Sequence, residues 1–214
     1  QNEGDFRVGG MTYNEIRERM PLLLSNIQDG NRRVRDIVTD LKDFARETPS
    51  ERSDDINLNQ VVKKAVGLVS NLIKKSTSDF AVDCTPDLPV FKGSAQRIEQ
   101  VVINLVMNAC QALSDSAQAV RVSTGVDPDG AGVFVEVRDE GVGVPPEVLQ
   151  QIKDPFFTTK RDAGGTGLGL AISDRIVRDH DGQMIFRSKP EEGTTVRVNF
   201  PVPADGSGNG GRGE

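Results

Sequence analysis

The chain has 214 residues, and its 26 Lys and Arg against 32 Asp and Glu give a formal net charge of −6. That length suits one large or two small domains with a buried core. With 36% hydrophobic and 27% charged residues, the composition is typical of a soluble globular protein and excludes a disordered one. The acidic balance argues against a nucleic-acid partner, and no apolar run approaches the roughly 20 residues of a membrane span.

The two cysteines, Cys84 and Cys110, lie in apolar surroundings without metal-ligand spacing. We therefore expect buried thiols in a cytoplasmic protein. A single histidine excludes a His-rich metal site, and the first residues do not resemble a signal peptide.

A long helix is predicted over Tyr13–Arg46, because apolar or small residues recur at alternating steps of four and three. These positions are Ile16, Met20, Leu23, Ile27, Gly30, Val34, Ile37, Leu41 and Phe44. Such a seam needs a partner helix to bury it. Pro21 conflicts with the pattern unless it marks a kink or lies in the first helical turn.

Helical and strand-like patterns alternate after a polar linker. Helices are predicted at 59–75, 94–113 and 167–179, and strands at 54–57, 80–84, 89–92, 119–126, 133–138, 183–188 and 194–200. The segment 141–166 has no period and is long for a connection, which is typical of a functional lid.

The helix predicted over 94–113 carries two asparagines, Asn104 and Asn108, spaced i, i+4 beside a mainly apolar face. One asparagine on a helix is usually just exposed. Two on the same face are more informative, because a carboxamide oxygen is a suitable ligand for Mg²⁺.

A carboxylate follows the strand predicted over 133–138, in the pattern Asp139-x-Gly141-x-Gly143. By itself this pattern indicates a turn. It also places an acceptor for an exocyclic amine at the sheet edge, where the glycines allow a ligand to approach the backbone.

Two further segments suggest an anion site. DPFFTTK ends in Lys160, placed to meet a phosphate, and GGTGLGLAIS leads glycines directly into an apolar helix. The amide groups at a helix N-terminus bind anions. The glycines form neither a Walker A loop nor a convincing dinucleotide fingerprint.

Taken in order, these segments resemble the ATP-binding domain of sensor histidine kinases, within the GHKL superfamily. The resemblance covers about residues 54–203. It rests on NLVMNA as the N box, DEGVGV as the G1 box, DPFFTTK as the F box, GTGLGLAIS as the G2 box and EEGTTVRVNFP as the terminal strand pair. The first long helix, ending DIVTDLKDFAR, resembles the second helix of the dimerisation and phosphotransfer hairpin.

The resemblance implies an α+β fold, a two-layer sandwich of a mixed sheet covered by three helices, with ATP and Mg²⁺ as cofactors. Asn108 would ligate Mg²⁺, Asn104 would face the phosphates, and Lys160 would reach a phosphate. Asp139 would bind the adenine amino group. The remaining site positions would shape the adenine pocket or wrap the phosphates: Gly141, Gly143, Gly165, Thr166, Gly167, Leu168, Gly169 and Thr194.

One position separates chemistries within the superfamily. Its hydrolysing members carry a glutamate general base one turn before the Mg²⁺-binding asparagine, where this chain has Asn104. A carboxamide cannot take up a proton. A site without its own base favours transfer to a nucleophile such as a neutral imidazole, and therefore a kinase.

The family's acceptor histidine lies on the first hairpin helix, and no such segment occurs here. His180, the single histidine, is expected to be structural. We therefore expect a truncated chain, with a homodimer and a response regulator receiver domain as partners of the full-length protein. The expected units are a connection at 1–13, the long helix at 14–47, a linker at 48–55, the ATP-binding domain at 56–203 and a disordered tail at 204–214.

Two alternatives remain at this stage. One is a GHKL serine kinase of the anti-sigma type, against which the long helix counts. The other is a non-catalytic nucleotide-sensing module, against which the intact motif residues count.

Overall fold

The computed structural model describes residues 7–8, 11–45, 54–159 and 166–202. Lys160, Gly165, the predicted tail and most of the predicted linker lie outside these residues. In chain order the elements are β1 (Arg7–Val8), β2 (Met11–Thr12), α1 (Tyr13–Ala45), β3 (Asp54–Ile56), α2 (Leu58–Leu68), α3 (Ser70–Ser76), β4 (Asp79–Cys84), β5 (Phe91–Gly93), α4 (Ala95–Ala112), β6 (Ala119–Val126), β7 (Gly132–Asp139), α5 (Pro146–Leu149), α6 (Gly169–Asp179), β8 (Gln183–Lys189) and β9 (Gly193–Pro201).

The long N-terminal helix α1 begins at a reciprocal capping box. Thr12 Oγ1 accepts a hydrogen bond from the Glu15 amide, and Glu15 Oε2 accepts one from the Thr12 amide at 2.8 Å. The hydrogen bonds that the Thr12 amide and hydroxyl donate to the carboxylate lower the pKa of Glu15. The helix continues through Pro21. Its seam residues Met20, Leu23 and Ile27 are 44–59% exposed, so α1 leaves much of its apolar stripe in solvent.

The main sheet has five strands in the order β4-β6-β7-β9-β8. β4 pairs with β6 in parallel, and the other neighbours are antiparallel. β3 and β5 form a separate two-stranded ribbon. The five strands of this sheet and the two of the ribbon correspond to the seven predicted strands. β1 and β2, which pair with each other, were not predicted.

Helices α2, α4 and α6 pack together and against the sheet. Alternate strand residues such as Val120, Val135 and Phe200 are fully buried beneath them, as period-two strands require. On the outer face Arg197 binds Glu136 at 3.0 Å and lies 3.7 Å from the centre of the Phe134 ring. One face is therefore apolar core and the other is polar, and the predicted two-layer α+β sandwich is confirmed.

Two predicted elements differ in detail. The single helix expected over 59–75 is two helices, because Val69 leaves the helical region with φ −102° and ψ 12°. Gly67 in the preceding turn weakens the helix at that point, and after the break Ile73 turns into the core. Within the predicted lid, α5 adds one short helical turn. Among the described residues no helix combines the length and apolarity needed to cross a membrane.

Candidate functional site

Asp139 is the last residue of β7 and is only 5% exposed. Its Oδ1 accepts hydrogen bonds from the backbone amides of Gly141, at 2.9 Å, and Thr194, at 3.2 Å. Thr194 is its register partner on β9. Two backbone donors on one carboxylate oxygen fix the orientation of the acid, so a buried acceptor is held at the sheet edge.

The turn after Asp139 requires glycine for close backbone packing. A Cβ on Gly141 would collide with the Ala112 carbonyl at the end of α4, and one on Gly143 with the Lys189 carbonyl at the end of β8. Gly143 also has φ +67°, in the left-handed region that favours glycine. The Val142 amide donates to the Ala112 carbonyl over 3.0 Å. The turn is therefore fixed between α4 and the β8–β9 hairpin.

Ser188, which sequence reasoning missed, connects this turn to Thr194. Its hydroxyl accepts from the Val144 amide, donates to the Gly193 carbonyl and lies 2.9 Å from the Thr194 hydroxyl. No local pattern identifies Ser188, because its partners come from two other segments of the chain.

Asn104 and Asn108 are half-buried on the same face of α4. Asn104 Nδ2 donates to Ser173 Oγ over 2.9 Å, and a Cβ on Gly169 would come within 2.5 Å of Asn104 Oδ1. The N-terminal turn of α6 therefore packs directly against the asparagine face of α4.

The glycine segment also contacts the phenylalanine motif. The Phe156 amide donates to the Gly167 carbonyl over 3.0 Å, and a Cβ on Gly167, which has φ +71°, would lie 2.5 Å from the Phe156 carbonyl carbon. Leu168 is buried, and its amide donates to Thr166 Oγ1. The Phe156 side chain is 56% exposed, so its backbone, not its ring, makes this connection.

Lys153, a second residue that sequence reasoning missed, anchors the segment before the phenylalanines. Its ammonium group binds Asp174 on α6 at 2.8 Å and donates to the Met184 carbonyl at 3.0 Å. It also lies 5.4 Å from the centre of the Phe186 ring. A lysine in a loop gives no sign in the sequence that its partners are on α6 and β8.

Four sequence motifs thus meet around α4 and α6. They are the two asparagines of α4, the turn at 139–143, the phenylalanine motif that contains Phe156, and the glycine turn at 166–169. The arrangement joins a fixed buried acceptor, carboxamide groups and the N-terminus of a helix. Among the described residues no cluster of three or more His, Cys, Asp and Glu could hold a metal ion.

His180 lies at the end of α6, away from this site, and is 4% exposed. Its Nε2 accepts from the Ser94 amide over 3.0 Å, and Nδ1 lies 2.7 Å from the Ile176 carbonyl. A neutral ring protonated on Nδ1 satisfies both contacts. The Ser94 contact joins the end of α6 to the N-cap of α4, and the Ile176 contact lies within α6 itself, as the structural interpretation of His180 predicts.

The fold and these motifs define a class of ATP-binding protein. The family described as "Histidine kinase-, DNA gyrase B-, and HSP90-like ATPase" matches residues 93–204. The chain belongs to this family, which confirms the GHKL resemblance and supports the use of ATP.

Two curated relatives match most of this chain. The chain is 30% identical over 190 residues to the signal transduction histidine-protein kinase AtoS of Escherichia coli (strain K12), covering 89% of this chain and 30% of AtoS. It is also 30% identical over 169 residues to sporulation kinase A of Bacillus subtilis (strain 168), covering 79% of this chain and 27% of the relative. The chain thus spans less than a third of the length of either curated relative.

Among solved structures, the catalytic domain of histidine kinase ThkA superposes with a TM-score of 0.60 at 30% identity, covering 69% of this chain and 94% of that one. The ThkA catalytic domain therefore shares its fold with this chain.

Proposed function

We propose that this chain is the ATP-binding catalytic part of a sensor histidine kinase, which transfers the γ-phosphate of Mg·ATP to a histidine on a dimerisation hairpin for onward transfer to a response regulator receiver domain. The observation that carries this proposal is that Asp139 is buried and that the turn after it is bonded to the end of α4, the helix that carries Asn104 and Asn108. The names of AtoS and sporulation kinase A support it.

In the proposed site Asp139 accepts a hydrogen bond from the adenine amino group. The donor set fits, since a carboxylate has only acceptors, and Oδ1 is already oriented by two amides. Gly141 and Gly143 shape this pocket, and Thr194 lies beside the base. If a hydrogen-bond donor stood in place of the Asp139 carboxylate, it would face the donor N–H groups of the adenine amine and the contact would be lost.

Asn108 is the proposed ligand of Mg²⁺, whose charge, when the ion is bound, neutralises the phosphates. Mg²⁺ typically takes one or two protein oxygens and completes its shell with phosphates and water. One carboxamide on α4 therefore fits a nucleotide-borne ion. The glycine segment, with Gly165, Thr166, Gly167, Leu168 and Gly169, and Lys160 would enclose the phosphates.

Transfer in this site relies on positioning. Asn104 cannot act as a general base, so the acceptor must already be a nucleophile, as a neutral imidazole nitrogen is. The new N–P bond forms as the bond between the γ-phosphorus and the bridging oxygen breaks, and the electron pair of that bond leaves with ADP. The residues of the proposed site hold the nucleotide and stabilise the negative charge that develops on the phosphate oxygens during transfer.

The helix α1 is proposed as the second helix of the dimerisation hairpin, at 14–47, with the ATP-binding domain at 56–203. Its exposed residues Leu23, Ile27 and Val34 support this, because an apolar stripe of that length needs another helix. A homodimer of the full-length protein would bury it. ThkA has been solved in complex with the response regulator protein TrrA, with a TM-score of 0.66 at 25% identity, covering 84% of this chain and 50% of that one.

The proposal is tested by nucleotide binding followed by phosphotransfer. Calorimetry should show ATP binding that requires Mg²⁺, and Asn108→Ala should abolish it. Radiolabelled Mg·ATP should then label a second chain that carries a hairpin histidine and has its own ATP site disabled. The label should be acid-labile, as phosphohistidine is.

Two outcomes contradict the proposal. A chain that shows no Mg²⁺-dependent ATP binding is not a kinase domain and would match the alternative of a non-catalytic module with a degenerate site. Acid-stable label on a serine would favour the serine kinase alternative.

A further inference from the structure

A partly buried hydrogen bond joins the two helices that carry the proposed nucleotide site. Asn104 on α4 donates through Nδ2 to the hydroxyl of Ser173 on α6 over 2.9 Å. Ser173 is 1% exposed, so its end of this contact is shielded from water. The bond is a direct link between a residue of the proposed site and one that is outside it.

The two ends of the Asn104 carboxamide face different parts of α6. The Nδ2 end faces Ser173, and the Oδ1 end faces Gly169, the first residue of the helix. Gly169 and Ser173 are one helical turn apart, so the carboxamide lies along the first turn of α6. The N-cap residue Leu168 has a side chain without hydrogen-bonding groups, and a carbonyl oxygen near this end of a helix is favourable.

We propose that Ser173 is a positioning residue for the phosphate side of the site. Its hydrogen bond holds the Asn104 carboxamide against the first turn of α6, and so sets the spacing between α4 and the glycine turn. This inference rests on the proposed function, since the spacing matters only if phosphates lie between these elements. Gly169 contributes by leaving the space that Asn104 Oδ1 occupies.

The first test removes the hydroxyl with Ser173→Ala. In the nucleotide-free chain, the side-chain amide resonance of Asn104, assigned by its disappearance in Asn104→Ala, should shift. The affinity for Mg·ATP, measured by calorimetry, should fall about fivefold, the effect expected for one neutral hydrogen bond. The resonance reports the contact without nucleotide, and the affinity reports its consequence.

A double-mutant cycle shows whether Ser173 acts through Asn104. Once Asn104→Ala has removed the carboxamide, adding Ser173→Ala should cost no further affinity for Mg·ATP. Fully additive losses would show that Ser173 acts by another route and would overturn the inference.

Thr124 offers a matched control remote from the site. It is 3% exposed, and its hydroxyl donates to Asn59 Oδ1 over 2.6 Å, joining β6 to α2. Thr124→Ala and Ser173→Ala should both lower the urea midpoint, but only Ser173→Ala should weaken Mg·ATP binding. Equal loss of affinity in both variants would mean general destabilisation, against the inference.

Ser173→Cys keeps the test open if the alanine variant does not fold. A thiol is a weaker acceptor and only modestly larger than a hydroxyl, so this variant should fold and show a smaller shift of the Asn104 resonance and a smaller loss of affinity. A wild-type chain that binds no Mg·ATP would refute the proposed function. A wild type that binds, with Ser173→Ala unchanged in both readouts, would refute only this inference.

Discussion

The backbone amide of Thr194 donates a hydrogen bond to Asp139 Oδ1 over 3.2 Å, although the two residues are 55 positions apart in the chain. Together with the Gly141 amide it orients a carboxylate that is almost completely buried. Asp139→Asn should keep both amide contacts through its carboxamide oxygen, while a donor replaces the second carboxylate oxygen.

We therefore expect Asp139→Asn to fold normally and to bind Mg·ATP at least about tenfold more weakly, the effect of losing one charged hydrogen bond. Calorimetry measures the affinity and thermal unfolding the stability. Asp139→Ala is the comparison, and it should lose stability as well, because both amides lose their acceptor. An Asp139→Asn chain with wild-type affinity would refute the adenine contact.

Alanine substitutions at three glycines distinguish the effect of backbone strain from that of steric collision. Gly167 and Gly130 both have φ +71°. A Cβ added at Gly167 would collide with the Phe156 backbone, whereas one added at Gly130 would meet open space. Gly67 is helical and also has open space. Gly167→Ala should weaken Mg·ATP binding severely. Gly130→Ala should cost about 1 kcal/mol of stability with unchanged affinity, and Gly67→Ala should stabilise by roughly 0.5–1 kcal/mol. Calorimetry and urea titration distinguish the three results.

Lys153 and Arg178 both bind Asp174, at 2.8 and 2.7 Å, but the Arg178 side chain is 73% exposed and that of Lys153 33%. Lys153→Met should therefore lower the free energy of unfolding by about 1–3 kcal/mol, since the Met184 carbonyl also loses its donor. Arg178→Met should change it by less than about 1 kcal/mol. Urea unfolding of both variants gives the comparison, and equal effects would contradict the anchoring role of Lys153.

His180→Ala should destabilise the chain by about 2–4 kcal/mol, because it leaves a cavity and removes the partner of the Ser94 amide. At temperatures well below unfolding, its affinity for Mg·ATP should equal that of the wild type. Incubation with radiolabelled Mg·ATP should leave His180 unlabelled, since the ring is buried and both nitrogens are in contact with backbone groups. Label on His180 would overturn the structural interpretation.

Burial raises the pKa of the Cys110 thiol. The folded chain therefore holds this proton more tightly than the unfolded chain does. The resulting stabilisation is complete below the unfolded thiol pKa and is lost as the pH rises through the folded value. A thiol reagent at pH 8 should react with half-buried Cys84 before buried Cys110, and urea should abolish the difference. Equal rates in the folded chain would contradict this prediction.

The sequence alone determined the features that depend on near neighbours in the chain. The period-two strands and the period of α4 predicted these elements and their apolar faces. The two-layer sandwich was implied by the motifs' resemblance to the GHKL family. Spacing placed Asn104 and Asn108 on one helical face, and Asp139 at the end of a strand. These are short-range relations, and the structure retains each of them.

The tertiary structure alone decided which of these groups meet and what holds them. Ser173 reaches Asn104 across 69 positions, and Ser188 reaches Val144 across 44. Neither serine differs in its local pattern from an exposed serine. A hydrogen bond between distant segments leaves no period in the sequence, because it is set by the packing of α6 on α4 and of the hairpin on the turn. The same reason explains why Lys153 was missed, since its partners Asp174 and Met184 become neighbours only when helix and sheet have packed.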